Sequence, residues 1–265
     1  MLIIGESING TIEKVGQAIA GRDRAFIQRV AREQVERGAH MLDVNAGLGG
    51  RDEVDDLTWL VKVVQEEVDI PLMLDSSDPQ AIEAALALHR GRPLVNSITA
   101  EPRKKDSLLP VLAAHDCGVV ALCLTEEGIP KTPTHRLEIA RGLVDELLQA
   151  GKPQEDIYLD ALLLTVATDW QAGAIALKTI QLFKQELPGV KTVVGLSNVG
   201  FGMPQRRLLN RTFLAMAIAL GLDGAILDVR DSSLMATVTA GRALVGRDKW
   251  CRGYLTAFRE GKLQG

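Results

Sequence analysis

Polar side chains recur along this chain just after short apolar runs. They are Glu6 and Asn9, Asp43 and Asn45, Asp75, Asn96, Thr125, Asp160, Ser197 and Asn198, and Asp228. One carboxylate at such a place is usually a turn or helix-cap residue. A whole series, mixed with carboxamides, is a set of acceptors and donors able to share one ligand. Such groups suit a flat heterocycle rich in N–H and C=O groups, and equally a divalent cation; residue type alone does not separate the two.

The missing chemistry narrows the choice. The histidines His40, His89, His115 and His135 fall in helical or loop patterns rather than after apolar runs. No G-x-S-x-G elbow and no H-E-x-x-H pair occurs. No lysine closes an apolar run, which argues against Schiff-base chemistry. Cys117, Cys123 and Cys251 form no C-x-x-C pair, so neither a zinc cluster nor a disulfide framework is expected. The expected task is to bind and polarise a substrate whose own atoms react.

The elements that position these residues follow one rhythm. The apolar runs are Leu2-Ile3-Ile4, Met41 to Val44, Pro71 to Leu74, Leu94-Val95-Asn96, Val119 to Leu124, Ile157-Tyr158-Leu159, Thr192 to Leu196 and Ala225-Ile226-Leu227. Continuous rather than alternating hydrophobicity suits parallel strands covered on both faces. Helical periods lie between them: Leu57, Leu60, Val61, Val64 and Val68 share one face, as do Leu137, Ala140, Val144 and Leu148. Asp78-Pro79 is a helix start, and Gly38, Gly91 and Gly221 are helix ends. Eight strands alternating with helices predict an α/β fold, a single (β/α)8 TIM barrel, over 1–265 as one domain, with the polar residues on its C-terminal rim. A doubly wound sheet is the weaker reading, because Gly5-Glu6-Ser7-Ile8-Asn9-Gly10 is no G-x-G-x-x-G.

Composition sets the outer limits. A hydrophobic fraction of 46% with 24% charged residues excludes disorder. A net charge of -4 argues against a duplex nucleic-acid partner. The longest apolar stretch, Phe213 to Leu222, is about half a membrane span, and the opening Met1 to Ile4 is too short for a signal peptide. The expectation is a cytoplasmic protein without membrane contact.

Several segments together resemble the methyltetrahydrofolate-dependent corrinoid methyltransferases, a pterin-binding barrel family related to dihydropteroate synthase and to the folate domain of cobalamin-dependent methionine synthase. They are Gly5-Glu6-Ser7-Ile8-Asn9, Leu42-Asp43-Val44-Asn45, Leu74-Asp75-Ser76-Ser77, Val95-Asn96-Ser97, Tyr158-Leu159-Asp160, and the run Gly195 to Pro204 with Arg206 to Asn210. The last is the most specific, and the resemblance covers essentially the whole chain. It implies a pterin-binding barrel that moves a methyl group between N5 of tetrahydrofolate and the cobalt of a corrinoid. Asp75, Asn96 and Asp160 correspond to residues that hydrogen-bond the pterin's amino, ring N–H and carbonyl edge. Asn198 corresponds to the asparagine that reaches N5, so Asn198 with Asp160 is the implied catalytic pair. Asp43, Gly195 and Ser197 match neighbouring positions, and Arg206, with Arg207 competing for the same place, matches an arginine near the p-aminobenzoate end. This sequence departs at Ser7, where a larger residue is expected, and at Ala161, where relatives often have proline.

The resemblance implies tetrahydrofolate or 5-methyltetrahydrofolate as substrate, a homodimer, and no directly bound metal ion. The chain has no D-x-H-x-x-G corrinoid motif and no Cys/His zinc set, so a corrinoid (cobalamin) carried by a separate corrinoid protein is expected. An open, shallow pocket is expected with it. Alternatives are a dihydropteroate synthase-like pterin enzyme and a non-catalytic folate-binding protein. Another is a barrel using Gly195, Gly200, Gly202 and Gly224 as a phosphate nest, with Asp43, Asp75 and Asp160 on Mg²⁺.

Overall fold

The computed structural model describes residues 1–47 and 52–263. Eight parallel strands close into a barrel in chain order: β1 (Leu2–Asn9), β2 (Met41–Asn45), β3 (Leu72–Asp75), β4 (Leu94–Thr99), β5 (Gly118–Leu122), β6 (Ile157–Asp160), β7 (Lys191–Gly195) and β8 (Gly224–Leu227). β8 pairs back onto β1, with Leu2 beside Gly224 and Gly5 beside Leu227. Every apolar run read from the sequence lies in or overlaps a strand.

The outer ring is α1 (Glu13–Ala20), α2 (Arg24–Glu36), α3 (Glu53–Gln65), α4 (Pro79–Leu88), α5 (Pro102–Ala114), α6 (Pro133–Gln149), α7 (Ala172–Glu186), α8 (Arg206–Ala219) and α9 (Ser232–Leu244), followed by α10 (Arg252–Arg259). Asp78 caps α4 by accepting from Gln80 N–H at 2.9 Å, and Asp23 caps α2 by accepting from Phe26 N–H at 3.0 Å. Gly38 and Gly221 follow α2 and α8 with φ +98° and +102°, left-handed turns that a Cβ would strain. The extra helices α1 and α10 are additions to the expected rhythm.

Two details of the helical reading are corrected. Val68 lies beyond the end of α3. On α6, Leu148 is 41% exposed while Leu147 is fully buried. The buried stripe runs through Arg136, Leu137, Ala140, Leu143, Val144 and Leu147, so Leu137, Ala140 and Val144 of the predicted face are buried and only Leu148 falls outside it.

Two apolar layers result. The larger fills the space between strands and helices, with Ile27, Leu57, Leu60, Ile82, Leu112, Phe183 and Leu214 in it. The smaller plugs the barrel interior with Ile4, Met41, Met73, Leu94, Val120 and Val193, backed by Leu2, Leu122, Tyr158 and Ile226. That plug makes one end of the barrel a blind well. Among the described residues, no helix is long and apolar enough to cross a membrane.

Candidate active site at the C-terminal mouth of the barrel

Side chains alternate along a strand, so the residue two places after an inward one also faces inward. Counting two on from the plug residues Ile4, Met41, Met73, Leu94, Val120, Tyr158, Val193 and Ile226 gives Glu6, Asp43, Asp75, Asn96, Leu122, Asp160, Gly195 and Asp228. Six of the scattered polar residues, Glu6, Asp43, Asp75, Asn96, Asp160 and Asp228, thus belong to one ring, to which Leu122 and Gly195 bring no polar side chain. Register shifts between Gly5 and Ile8 and between Asn96 and Ile98 re-aim the ends of β1 and β4 at this ring.

The acids of the ring are held with capacity to spare. Asn45 Nδ2 donates to Asp75 Oδ2 at 2.8 Å, and its own Oδ1 accepts from Gly47 N–H at 2.7 Å. Asp160 Oδ1 accepts from Leu162 N–H at 2.7 Å. Burial pushes Asp75 and Asp160 each up to about 6, although Asn45 lowers the first, and Leu162 N–H and Arg136 lower the second. Asp43 is 4% exposed, and its Oδ1 has no partner among the described residues. Burial, then the charges of Asp75 and Glu6, raise it well above the usual carboxylate range. Burial also raises Glu6, against a hydrogen bond donated by Ser197 Oγ at 2.6 Å. Neighbouring buried acids with spare lone pairs are ready acceptors for a ligand rich in N–H groups. A cavity of about 110 Å³ opens beside Asp75, lined also by Asn96, Ser77, Ser97 and Lys104.

The segment after β7 forms the facing wall. A short 3-10 turn, Leu196–Asn198, leaves Asn198 exposed at the rim. Its amide folds over Gly195, where an added Cβ would lie 3.2 Å from Asn198 Nδ2. No described residue takes a hydrogen bond from this amide. Arg206 Nη2 donates to Ser197 O at 3.0 Å, whereas Arg207 turns away towards Asp231 at 3.6 Å. Arg206 is therefore the arginine beside the site.

Other candidates are spent elsewhere. Asn9 accepts from Thr11 N–H and Oγ–H, and Thr125 closes a turn onto Gly128 O. Burial raises Asp228, but Arg230 bonds both its oxygens, at 2.7 and 3.0 Å, and holds it below its usual value. Lys191 lies at the opposite end of the barrel, its ammonium 4.9 Å from the Tyr158 ring centroid. Gly224 begins β8 at that same far end, away from the segment that holds Gly195, Gly200 and Gly202. Among the described residues, no group of three or more His, Cys, Asp or Glu side chains is placed to hold a metal ion. Arg136 is a site-supporting residue that strand-end counting did not select, and Asn45, selected there, supports Asp75. The signal for Arg136 is its place in the apolar stripe of α6.

Residues 6–228 match the family of pterin binding enzymes. The chain belongs to that family. Within it, the chain is 35% identical to the methylcorrinoid:tetrahydrofolate methyltransferase of Eubacterium limosum over 265 residues, spanning 99% of this chain and 98% of that one. It is 32% identical to the methionine synthase of Mycobacterium tuberculosis over 239 residues, covering 85% of this chain but 20% of that larger protein. The crystal structure of FolP, a dihydropteroate synthase from Clostridium difficile in the presence of pteroic acid, superposes with a TM-score of 0.74. It does so at 19% identity over 92% of this chain and 96% of that one, and so shares the fold. The mouth residues from Glu6 to Asp228 coincide with the two limits of the family match.

Proposed function

We propose that this pterin-binding barrel is a methyltransferase that moves a methyl group between N5 of tetrahydrofolate and the cobalt of a corrinoid carried by a separate protein. The observation that carries the reading is that Asp75, Asn96 and Asp160 lie at inward positions of the barrel, beside an Asn198 amide that bonds no described residue. The full-length similarity to a methylcorrinoid:tetrahydrofolate methyltransferase supports it.

A pterin presents an amino group and a ring N–H side by side, and a carboxylate accepts both in parallel bonds contributing roughly 1.5–3 kcal/mol each. With their carboxyls near 6, Asp75 and Asp160 are mostly ionised at neutral pH and fit this role. Asn96 supplies a donor and an acceptor to the ring's carbonyl edge, and Asp43, Gly195, Ser197 and Arg206 complete the walls. The corrinoid, when docked, supplies cobalt as methyl acceptor in one direction and methyl donor in the other. Breaking the N5–methyl bond leaves an amine anion unless a proton or a strong hydrogen bond arrives at N5. Asn198 can donate or accept there, and so follows N5 through its change of protonation. Asp160, titrating near neutrality, is suited to exchange that proton through a water. In the reverse direction, the same groups receive the proton that N5 releases.

Access matters as much as grip, because cobalt must approach N5 closely. Asn198 is exposed, and Trp170 and Phe201 stand 83% and 64% exposed on the loops after β6 and β7. Those loops are tied by Val166 N–H to Val199 O at 3.1 Å. We assign this rim to the docking corrinoid protein, and take 1–265 as one barrel domain working in the cytoplasm as a homodimer, without nucleic acid, membrane or bound metal ion.

The deciding experiment mixes the pure protein with tetrahydrofolate and methylcobalamin, then with 5-methyltetrahydrofolate and cob(I)alamin, and follows the corrin absorbance. Spectral conversion in either direction supports the proposal; folate binding without conversion in both makes the protein a folate carrier instead.

A further inference from the structure

Among the described residues, Arg136 is the most buried arginine, at 3% exposure, yet its hydrogen bonds go to carbonyl oxygens rather than to a carboxylate. Nε donates to Pro130 O at 2.9 Å. Nη1 donates to Ala161 O at 2.6 Å and to Leu162 O at 3.1 Å. Taking a guanidinium out of water is costly, so a buried one normally serves a specific contact. Here the contact is the turn directly after Asp160. Leu162 has φ +54°, a left-handed conformation that costs a leucine about 1–2 kcal/mol, and in it Leu162 N–H points back to Asp160 Oδ1.

We propose that Arg136 is the positioning residue for Asp160. It clamps the two carbonyls that follow Asp160, keeps Leu162 in its left-handed turn, and fixes one carboxylate oxygen. The second oxygen takes no hydrogen bond from a described residue and is left for the ligand. The loop before α6 and the loop after β6 are fastened together by the same fork through Pro130. Ala161 has no ring to stiffen this turn, so the restraint comes from across the barrel wall.

The charge of Arg136 acts in the same direction as its hydrogen bonds, favouring the ionised carboxylate of Asp160. Among the described residues, the other ionisable groups acting on the pair are Cys123 at the end of β5, whose thiol burial pushes up to about 12, and Asp169 before α7. Neither competes for the Ala161 and Leu162 carbonyls.

The test uses the full chain without ligand. Carbon-detected NMR follows the Asp160 carboxyl through pH, and hydrogen exchange follows the Leu162 amide against that of Leu159. Arg136→Met removes charge and fork. It should move the Asp160 titration up by about one unit and speed Leu162 exchange about tenfold relative to Leu159. Arg136→Lys keeps the charge without the fork, and should speed exchange while leaving the titration within about a third of that shift. If the methionine variant does not fold, the lysine variant's Leu162 exchange decides alone. Wild-type titration and relative exchange in the folded variants would overturn the proposal, whatever their melting temperatures. The inference rests on the reading of Asp160 as a pterin contact for its functional meaning. Asp160→Asn tests that separately, since unchanged folate affinity there refutes the contact and leaves the Arg136 clamp to be judged by NMR.

Discussion

The two ends of the barrel treat charge in opposite ways. At the floor, where strands begin, charged groups are consumed. Arg92 bonds Asp116 and Asp156, and Lys184 pairs with Asp223, which also accepts from Thr192 N–H. Lys152, 6% exposed, donates to the carbonyls of His115 and Cys117. Even the imidazoles are spoken for: His40 Nδ1 accepts from Ile3 N–H and His89 Nε2 from Leu72 N–H, each at 3.1 Å. At the mouth, Asp43 is buried and Asp75 and Asp160 half-buried, with no cationic ion-pair partner among the described residues, and the Asn198 amide bonds no described residue. The floor pairs its charges and the mouth leaves acceptors free, which fits the division common to barrels, with stability at one end and ligand binding at the other. Buried acids without a countercharge lower stability, and a ligand donating to them would offset that cost.

The comparison is open to several breaks, and the largest effect is expected at the lip. Asn198→Ala should slow methyl transfer by about 10²- to 10⁴-fold while changing folate affinity far less, as judged by single-turnover rates beside equilibrium binding. Equal losses in both would make Asn198 an ordinary binding residue. Next come the acids: Asp75→Asn should weaken folate binding about 10- to 100-fold. The same change should stabilise the ligand-free protein by about 1–3 kcal/mol at pH 8 in urea titrations. A mouth built for stability would instead lose on both counts.

At the floor the sign reverses. Arg92→Ala leaves Asp156, whose side chain is 7% exposed, without its guanidinium, and should cost about 1–3 kcal/mol with folate affinity unchanged. Reduced affinity would show that the ends are not independent. The smallest effect is in pH. Asp75 and Asp160 titrate near 6 in the folded chain and near 4 when unfolded. The folded state therefore binds the extra protons, and their contribution to stability grows as pH falls from about 7 to about 4. His40 and His89 have lowered values, chiefly through burial. There the unfolded state binds protons first, so their contribution shrinks as pH falls through about 6.5. Melting Asp75→Asn across that range should remove part of the acid-side gain and leave the histidine loss in place.

Much of the barrel was legible because its strands are buried on both faces and read as unbroken apolar runs. The mouth residues were legible too, since each sits where such a run stops. Asn9, Thr125 and Asp228 carry the same sequence signature as Asp75 and Asp160, yet close a turn or bind Arg230 instead. Nothing local distinguishes them. Leu148 was misplaced because a stripe of apolar residues defines a helix face only to within part of a turn, and the wall it meets decides the rest.

By itself, then, the order of residues determined how many strands form, where they stop, and that acids and amides gather at the stops. Only the tertiary structure decided which of those groups look into one well, that β2–β3 pairing sets Asn45 against Asp75, and that Arg136 reaches over to the turn after Asp160. The reason is range: hydrophobic period and capping are written within a few neighbouring residues. Contacts such as Ser197 with Glu6, 191 residues apart, exist because β8 comes round to pair with β1.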